Sequence, residues 1–152
     1  MSDASPAEQL DGFIDRYTPE VAATAREALE KVRALLPGAV ELVYDNYNAL
    51  AVAFGPTERT SEAVLSVTLF PRWVSVFFLR GTGLPDPHGL LKGSGSQTRH
   101  LVLEDAADLD RPQVRELIAQ AVARAPQPLD GTRPGRIVIK SVSAKQRPRR
   151  PG

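Results

Sequence analysis

Four aromatic residues in the middle of the sequence could line a binding pocket. Tyr44, Tyr47, Trp73 and Phe77 fall in segments rich in valine and aromatic residues, where alternate side chains of a β-strand point to one face of a sheet. Tyrosine and tryptophan suit ligand pockets because each has an apolar ring and a polar end. The same residues could instead pack against helices or against a second copy of the chain, so both alternatives stay open.

A glycine-rich stretch follows these aromatic residues and could bind an anion. Residues 91–96 read Leu-Lys-Gly-Ser-Gly-Ser, and Arg99 and His100 come shortly after them. Glycines let backbone amides converge on an anion, and lysine and arginine would add positive charge. The stretch is not a Walker sequence, because Gly-Lys-Ser/Thr is absent, and a flexible connector is the alternative.

These two groups of residues together predict a ligand groove. The long loop over residues 80–98, with its glycines and prolines, is expected to roof the sheet face around Trp73 and Phe77. Positive donors for a small anionic ligand would then come from four side chains: Arg80, Lys92, Arg99 and His100.

Acidic and histidine residues offer weaker signals. Glu8, Asp11 and Asp15 share one stripe of a predicted helix and could hold a hard cation such as iron, or form a solvated helix face. His100 lies beside Arg99 and is expected to be a hydrogen-bonded structural residue. Neither Gly-x-Ser-x-Gly nor His-Glu-x-x-His occurs, so the sequence favours a protein that is not an enzyme, with no cofactor and no metal at its site.

Composition excludes several classes of protein. The chain has 152 residues, 42% of them hydrophobic, and a net charge of +1, which is typical of one globular domain. Because cysteine is absent, a disulfide scaffold, a thiolate metal site and a cysteine nucleophile are excluded. No apolar run is long enough to span a membrane and the polar N-terminus is unlike a signal peptide, so we expect a cytoplasmic protein without a membrane partner.

The basic charge is concentrated at the C-terminal end. From Arg133 onward the sequence has basic residues and no acidic one. Residues 146–152 are predicted to be a basic disordered tail. Such a tail could meet phosphates, but it lacks aromatic residues for stacking on bases, so the sequence disfavours nucleic-acid binding.

The pattern of elements predicts an α+β fold. Two helices come first, the earlier one opened by a capping box at Ser5 and Glu8, and four strands, a loop, a strand, a helix over 110–125 and a last strand follow. Runs of strands after helices indicate a mostly antiparallel sheet of about five or six strands with helices packed on one face. Residues 1–130 would form a single domain, and residues 131–145 would supply its C-terminal strand.

Over residues 42–124 the chain also resembles a known family. The segments that carry the resemblance are Tyr44-Asp45-Asn46-Tyr47-Asn48-Ala49-Leu50, Pro71-Arg72-Trp73-Val74-Ser75-Val76-Phe77-Phe78, Gly83-Leu84-Pro85-Asp86-Pro87, Leu90-Leu91-Lys92-Gly93-Ser94-Gly95 and Arg99-His100. They are similar to the YdhG-like family, the domain of unknown function numbered 1801. The resemblance implies a compact α+β fold and a largely unassigned role; one relative is described as a frataxin-like iron chaperone.

The sequence thus predicts non-enzymatic binding of a small anionic ligand in a groove on the sheet face. Two alternatives stay open. One is a protein–protein interaction module, either a homodimer or a partner of an acidic protein. The other is an iron chaperone that uses Glu8, Asp11 and Asp15.

Overall fold

The computed structural model describes residues 4–151. Its helices are α1 (Pro6–Ile14), α2 (Pro19–Leu35) and α3 (Pro112–Ala123), with short 3-10 helices at Thr60–Glu62 and Ala106–Asp110. Its strands are β1 (Val40–Asp45), β2 (Leu50–Gly55), β3 (Leu65–Leu69), β4 (Val74–Phe78), β5 (Arg99–Leu103) and β6 (Arg136–Val142). No described helix combines the length and the apolar character needed to cross a membrane.

Side-chain caps fix the starts of α1 and α2. The hydroxyl of Ser5 accepts from the amide of Glu8 at 3.1 Å, and the Glu8 carboxylate accepts from the amide of Ser5 at 3.1 Å, which confirms the capping box. The bonds from the Ser5 amide and hydroxyl hold the pKa of Glu8 below its usual value. Thr18 caps α2 by a single bond, in which its hydroxyl accepts from the amide of Val21 at 3.3 Å.

The third helix starts later than the sequence pattern predicts. Asp110, expected as its cap, ends the preceding 3-10 helix, and α3 begins at Pro112 without a side-chain cap. The Asp110 carboxylate instead binds Lys31 of α2 at 2.7 Å and Arg115 at 3.2 Å, and these bonds lower its pKa. The Asp110 carboxylate, which the sequence pattern predicts to be a helix cap, is therefore used in an ion pair with Lys31 of α2.

The strands form one six-stranded sheet in the order β5-β4-β3-β2-β1-β6. Every neighbouring pair is antiparallel except β1 and β6, which run parallel; their register shifts between Val43 and Tyr44, where Lys140 of β6 is the extra residue. The predicted α+β fold with a mostly antiparallel sheet is confirmed. The last strand of the chain thus completes the sheet beside the first one.

The main hydrophobic core lies between the helices and one face of the sheet. Alternate residues of the central strands, such as Val52, Val67 and Val76, point into it and are fully buried. Leu29 of α2 and Ile118 of α3 cover them. This packing places α1, α2 and α3 against one sheet face. The other sheet face has no α-helix over it among residues 4–151, and a smaller cluster of Val40, Leu42, Ala53 and Ala63 is buried at its β1–β2 side.

We call that other side the open face. Small residues occupy its middle, including Ala53, Ser66 and Thr68, which are buried between larger neighbours. The hydroxyls of Ser66 and Thr68 lie 2.9 Å apart and hydrogen-bond each other. Trp73 and Phe77 belong to this face by strand alternation. The open face is therefore a shallow floor with aromatic rings along one side.

The long loop does not roof the open face. Leu84 is buried in the helix-side core, and Leu90 and Leu91 pack against the same core. The carboxylate of Asp86 accepts from the amides of Leu90 and Leu91 at 2.9 Å each, which holds the turn that directs both side chains inward. Arg124 of the α3 end adds a bond to the carbonyl of Gly83. Buried leucines thus draw the loop to the helix side, contrary to the prediction.

Candidate functional site

The four predicted anion donors do not converge. Arg80 donates to the carbonyls of Ala63 and Ser61, and Arg99 donates to the carbonyls of Gly95 and Thr98. Both guanidinium groups therefore stabilise irregular backbone beside them. Lys92 is exposed and pairs through its backbone with His100 at the outer edge of β5, with both amide–carbonyl distances 2.8 Å.

The aromatic residues divide into separate groups. Trp73 and Phe77 join a row on the open face, in which the Phe70 ring centroid lies 4.7 Å from Trp73 and 6.4 Å from Phe77. His100, the cross-strand partner of Phe77, stacks on it at 5.2 Å. Tyr44 lies on the same face but two strands away from this row, where its hydroxyl binds Thr60. The predicted groove is thus reduced to the row formed by Trp73, Phe70, Phe77 and His100.

Tyr47 lies at the β1–β2 turn, away from that row. Its side chain is 48% exposed, and the guanidinium of Arg147 lies 5.8 Å from the centre of its ring. The backbone amide of Arg147 also donates to the Tyr47 carbonyl at 2.8 Å. These contacts bring the C-terminal end of the chain to this turn.

Residues 143–151, the C-terminal segment, are held against the domain. The sequence predicts a disordered tail over 146–152, but the structure anchors the described part of this segment through Arg149, which is only 4% exposed. Arg149 Nη2 donates to Asp45 Oδ1 at 2.8 Å and to the carbonyl of Asn46, and its guanidinium lies 5.8 Å from the Tyr17 ring centre. Asp45 is itself buried, and a buried carboxylate requires a partner of opposite charge. That requirement is the physical reason for the difference.

Further bonds extend this anchor along the segment. The amide of Ser143 and the Gln146 side chain both donate to the carbonyl of Asp45, at 2.9 and 3.0 Å. Arg16 reaches Gln146 at 2.6 Å, and Arg150 donates to the carbonyl of Arg16 at 3.2 Å. The segment therefore crosses the end of the sheet between the β1–β2 turn and the end of α1.

A cleft opens between the C-terminal segment and the β3–β4 turn. It is an open depression of about 660 Å³, within the size range of small-molecule sites. Trp73 and Phe70 supply aromatic surface, and the indole of Trp73 is 42% exposed. The other lining residues are Asn48, Pro71, Arg72, Arg147, Pro148, Arg150 and Pro151.

The charge of the cleft has one sign. Three arginines line it, and no aspartate or glutamate does. Within residues 4–151, the guanidinium groups of Arg72 and Arg147 have no carboxylate partner, whereas Arg150 uses part of its donor capacity on the carbonyls of Asp15 and Arg16. Arginine forks and an exposed ring face favour an anion that carries a flat group.

A second groove, of about 580 Å³, lies between α1, α2 and β6, and has a different character. Its floor is apolar, with Leu10, Ile14 and Ile137 among its lining residues. Its arginines are already paired: Arg26 binds Asp11 and Asp15 at 2.8 and 2.6 Å, and Arg33 binds Glu41 at 2.7 Å. This groove therefore offers no unpaired arginine to an anion, and Glu27 and Glu30, which also line it, have no ion-pair partner among residues 4–151.

The acidic residues predicted to bind iron already have hydrogen-bond or ion-pair partners. Arg26 occupies the carboxylates of Asp11 and Asp15, and Glu8 belongs to the capping box. In the part of the chain that the structure describes, no group of three or more histidine, aspartate or glutamate side chains is arranged to hold a metal ion. The stripe serves to join α1 to α2.

Comparisons with protein-family models, with curated proteins and with solved structures find no match to this chain. The resemblance to the YdhG-like family stays a prediction, and so does the iron-chaperone alternative that it implies. Evidence about function therefore comes from the cleft itself.

Sequence reasoning found Trp73 but missed the arginines of the cleft. The sequence pattern places Arg147 and Arg150 in a disordered tail over 146–152 and predicts no binding role for Arg72. One signal was present: Asp45 stands in a strand among apolar residues, so a distant basic residue had to neutralise it. Nothing local identified that residue as Arg149.

Proposed function

We propose that the protein is a non-enzymatic binding domain for a small anionic molecule that carries a planar ring. One observation carries this proposal: the cleft combines an exposed indole with three arginines and has no acidic lining residue. The anion would bind Arg72 and Arg147, whose guanidinium groups have no ion-pair partner among residues 4–151. The ring would stack on Trp73, whose other side is supported by Phe70 at 4.7 Å between centroids.

Both walls of the cleft are supported by contacts with the rest of the domain. The C-terminal wall is fixed by the buried pair of Arg149 and Asp45, and the opposite wall is a tight turn between two paired strands. Walls that are already held in place reduce the cost of ordering side chains and loops when a ligand binds. The homodimer and acidic-partner alternatives stay predictions.

Trp73 makes the proposal directly testable, because it is the chain's one tryptophan and it lines the cleft. Thymidine monophosphate, thymidine and inorganic phosphate are suitable probes, since they separate the ring from the charge. We expect the monophosphate to change the Trp73 fluorescence with saturation, and to bind more tightly than either of the other two.

Charge variants provide the control. Arg72→Gln combined with Arg147→Gln should weaken binding of the monophosphate by about tenfold or more, since each lost charge-assisted hydrogen bond is worth about 1.5–3 kcal/mol. Arg111→Gln changes an exposed arginine at the start of α3 and should leave binding unchanged. Absence of any fluorescence change at millimolar probe, or equal binding by the double variant, would refute the proposal.

A further inference from the structure

Trp73 is the first ring of a row that leads out of the cleft and across the open face. Phe70 follows at the end of β3, Phe77 lies on β4, and His100 lies on β5, with successive centroids 4.7, 6.4 and 5.2 Å apart. All four side chains are exposed or half-buried. The row is longer than one small ligand needs, because only Trp73 and Phe70 line the cleft.

The electrostatics of the open face suit a polyanion. By strand alternation, the carboxylates of Glu41 and Asp45 point to the helix side, where both are buried and paired with arginine. Strand residues that face the open side are apolar, hydroxyl-bearing or basic over the described chain. Two carboxylates lie near one end of the row: Glu20 and Glu104 line a separate depression of about 150 Å³ together with Arg72 and Trp73, and neither pairs with Arg72 within residues 4–151.

We propose that this face binds a single-stranded nucleic acid, with one nucleotide in the cleft and the next bases on Phe77 and His100. The inference rests on the proposed function, because the first nucleotide uses Trp73, Arg72 and Arg147 as described for the small anion. Proteins that bind single strands combine a positively charged groove with aromatic rings that accept any base. The tail lacks the aromatic residues for this; the fold supplies them from β3, β4 and β5.

A single strand fits this arrangement better than a duplex does. Base faces in a duplex are stacked on one another, so they cannot lie on rings fixed in a sheet. A single strand can present its bases one by one to the row while its phosphates meet the arginines of the cleft. The contact would be insensitive to base identity, since the row consists of aromatic rings, which stack on any base.

The test compares thymidine monophosphate with oligothymidylates of up to ~8 nucleotides, a typical length for one such site. Fluorescence of Trp73 measures binding at low salt and again at higher salt. We expect affinity to rise with length, and to fall with salt more steeply for the longer strands. A duplex of equal length should compete poorly.

Substitution of Phe77 tests the aromatic row separately from the cleft, because Phe77 does not line the cleft. Phe77→Leu should weaken binding of the octanucleotide by about fivefold or more, as expected from the loss of one base–ring stack, and leave binding of the monophosphate unchanged. His100→Gln gives a second variant at a half-exposed position, should Phe77→Leu lower stability. Thermal melting of each variant checks the fold.

The outcomes distinguish the two proposals. If the monophosphate binds and the octanucleotide binds no tighter, or if both row variants bind the octanucleotide normally, this inference is wrong and the proposed function stands. Equal binding of duplex and single strand also overturns it, because charge alone would then explain the contact. If neither probe binds, both proposals fail.

Discussion

Arg80 and Arg99 lie at one end of the sheet, and Arg72, Arg147 and Arg150 lie at the other. At the first end, both guanidinium groups donate to carbonyls of irregular backbone, so they stabilise loops. At the second end, the guanidinium groups of Arg72 and Arg147 make no hydrogen bond among residues 4–151. Arg150 donates to the carbonyls of Asp15 and Arg16, and Arg149 holds the C-terminal segment in place. An arginine in a loop-rich region is therefore available to a ligand only where the loop is stabilised by other means.

The residue that makes the difference is Arg149. Its bonds to Asp45 and to the carbonyls of Asn46 and Tyr47 fix the C-terminal segment, and its Nε is buried without a hydrogen-bond partner within the described chain. The buried Arg149 thus fixes the positions of Arg147 and Arg150 in the same segment. The following variants test this contrast between the ends of the sheet.

Arg149→Met should produce the largest loss of stability. Removing one partner of a buried ion pair typically costs about 3–5 kcal/mol, and here the buried Asp45 carboxylate would keep only Arg16, at 3.4 Å. We expect the free energy of unfolding in urea to fall by about 3 kcal/mol. Lys145→Met, at an exposed position of the same segment, should change it by less than about 0.5 kcal/mol. Equal midpoints for the two variants would show that the segment is not anchored.

Arg80→Gln should have the next largest effect. The variant loses donors to the carbonyls of Ala63 and Ser61, at a cost of about 1–2 kcal/mol. Arg99→Gln is the matched variant at the same end, and it should cost about 0.5 kcal/mol because the carbonyls that Arg99 binds are exposed. Chemical unfolding of both variants measures the difference. A larger effect at Arg99 would contradict this ranking.

Tyr17→Phe tests the surroundings of the anchor through pH. Burial raises the pKa of Tyr17 more than the positive charge of Arg149 lowers it. The unfolded chain therefore ionises first, and stability is lost as pH rises above about 10. At neutral pH the variant should lose about 1 kcal/mol with the bond from the Tyr17 hydroxyl to Leu69. Its free energy of unfolding should then decline less than that of the parent chain above pH ~10, and identical alkaline slopes would refute the assignment.

Arg72→Gln should have the smallest effect on stability. Its side chain is exposed and makes no hydrogen bond within residues 4–151. The free energy of unfolding should therefore change by less than about 0.5 kcal/mol, as measured from the urea midpoint. This variant sharpens the comparison, because the same change at Arg80 is costly. A substantial destabilisation would mean that Arg72 supports the fold rather than the cleft.

Local structure was largely predictable from the sequence. The capping box at Ser5, the alternation of the strands and the period of α3 depend on residues close together in the chain, so their patterns are visible. The predicted number of strands and their mostly antiparallel arrangement follow from the same signals. Bounds differ by a few residues where tertiary contacts, such as the pairing of Asp110 with Lys31, override a local cap.

The candidate site was only partly predictable, because it depends on distant pairs. Asp45 and Arg149 are separated by 104 positions, and no periodicity relates them. The direction of the loop over 80–98 depends on where Leu84, Leu90 and Leu91 find apolar neighbours, which only the folded core decides. Trp73 was found because its type alone suggests a pocket.

The position of β6 beside β1 determines when the sheet can be completed during synthesis. Translation delivers Val40–Asp45 long before Arg136–Val142, and the anchoring arginine comes later still. Until then, one edge of β1 has no hydrogen-bonding neighbour and Asp45 has no Arg149 to neutralise it. A nascent chain therefore exposes an unpaired sheet edge until β6 has been synthesised and pairs with β1.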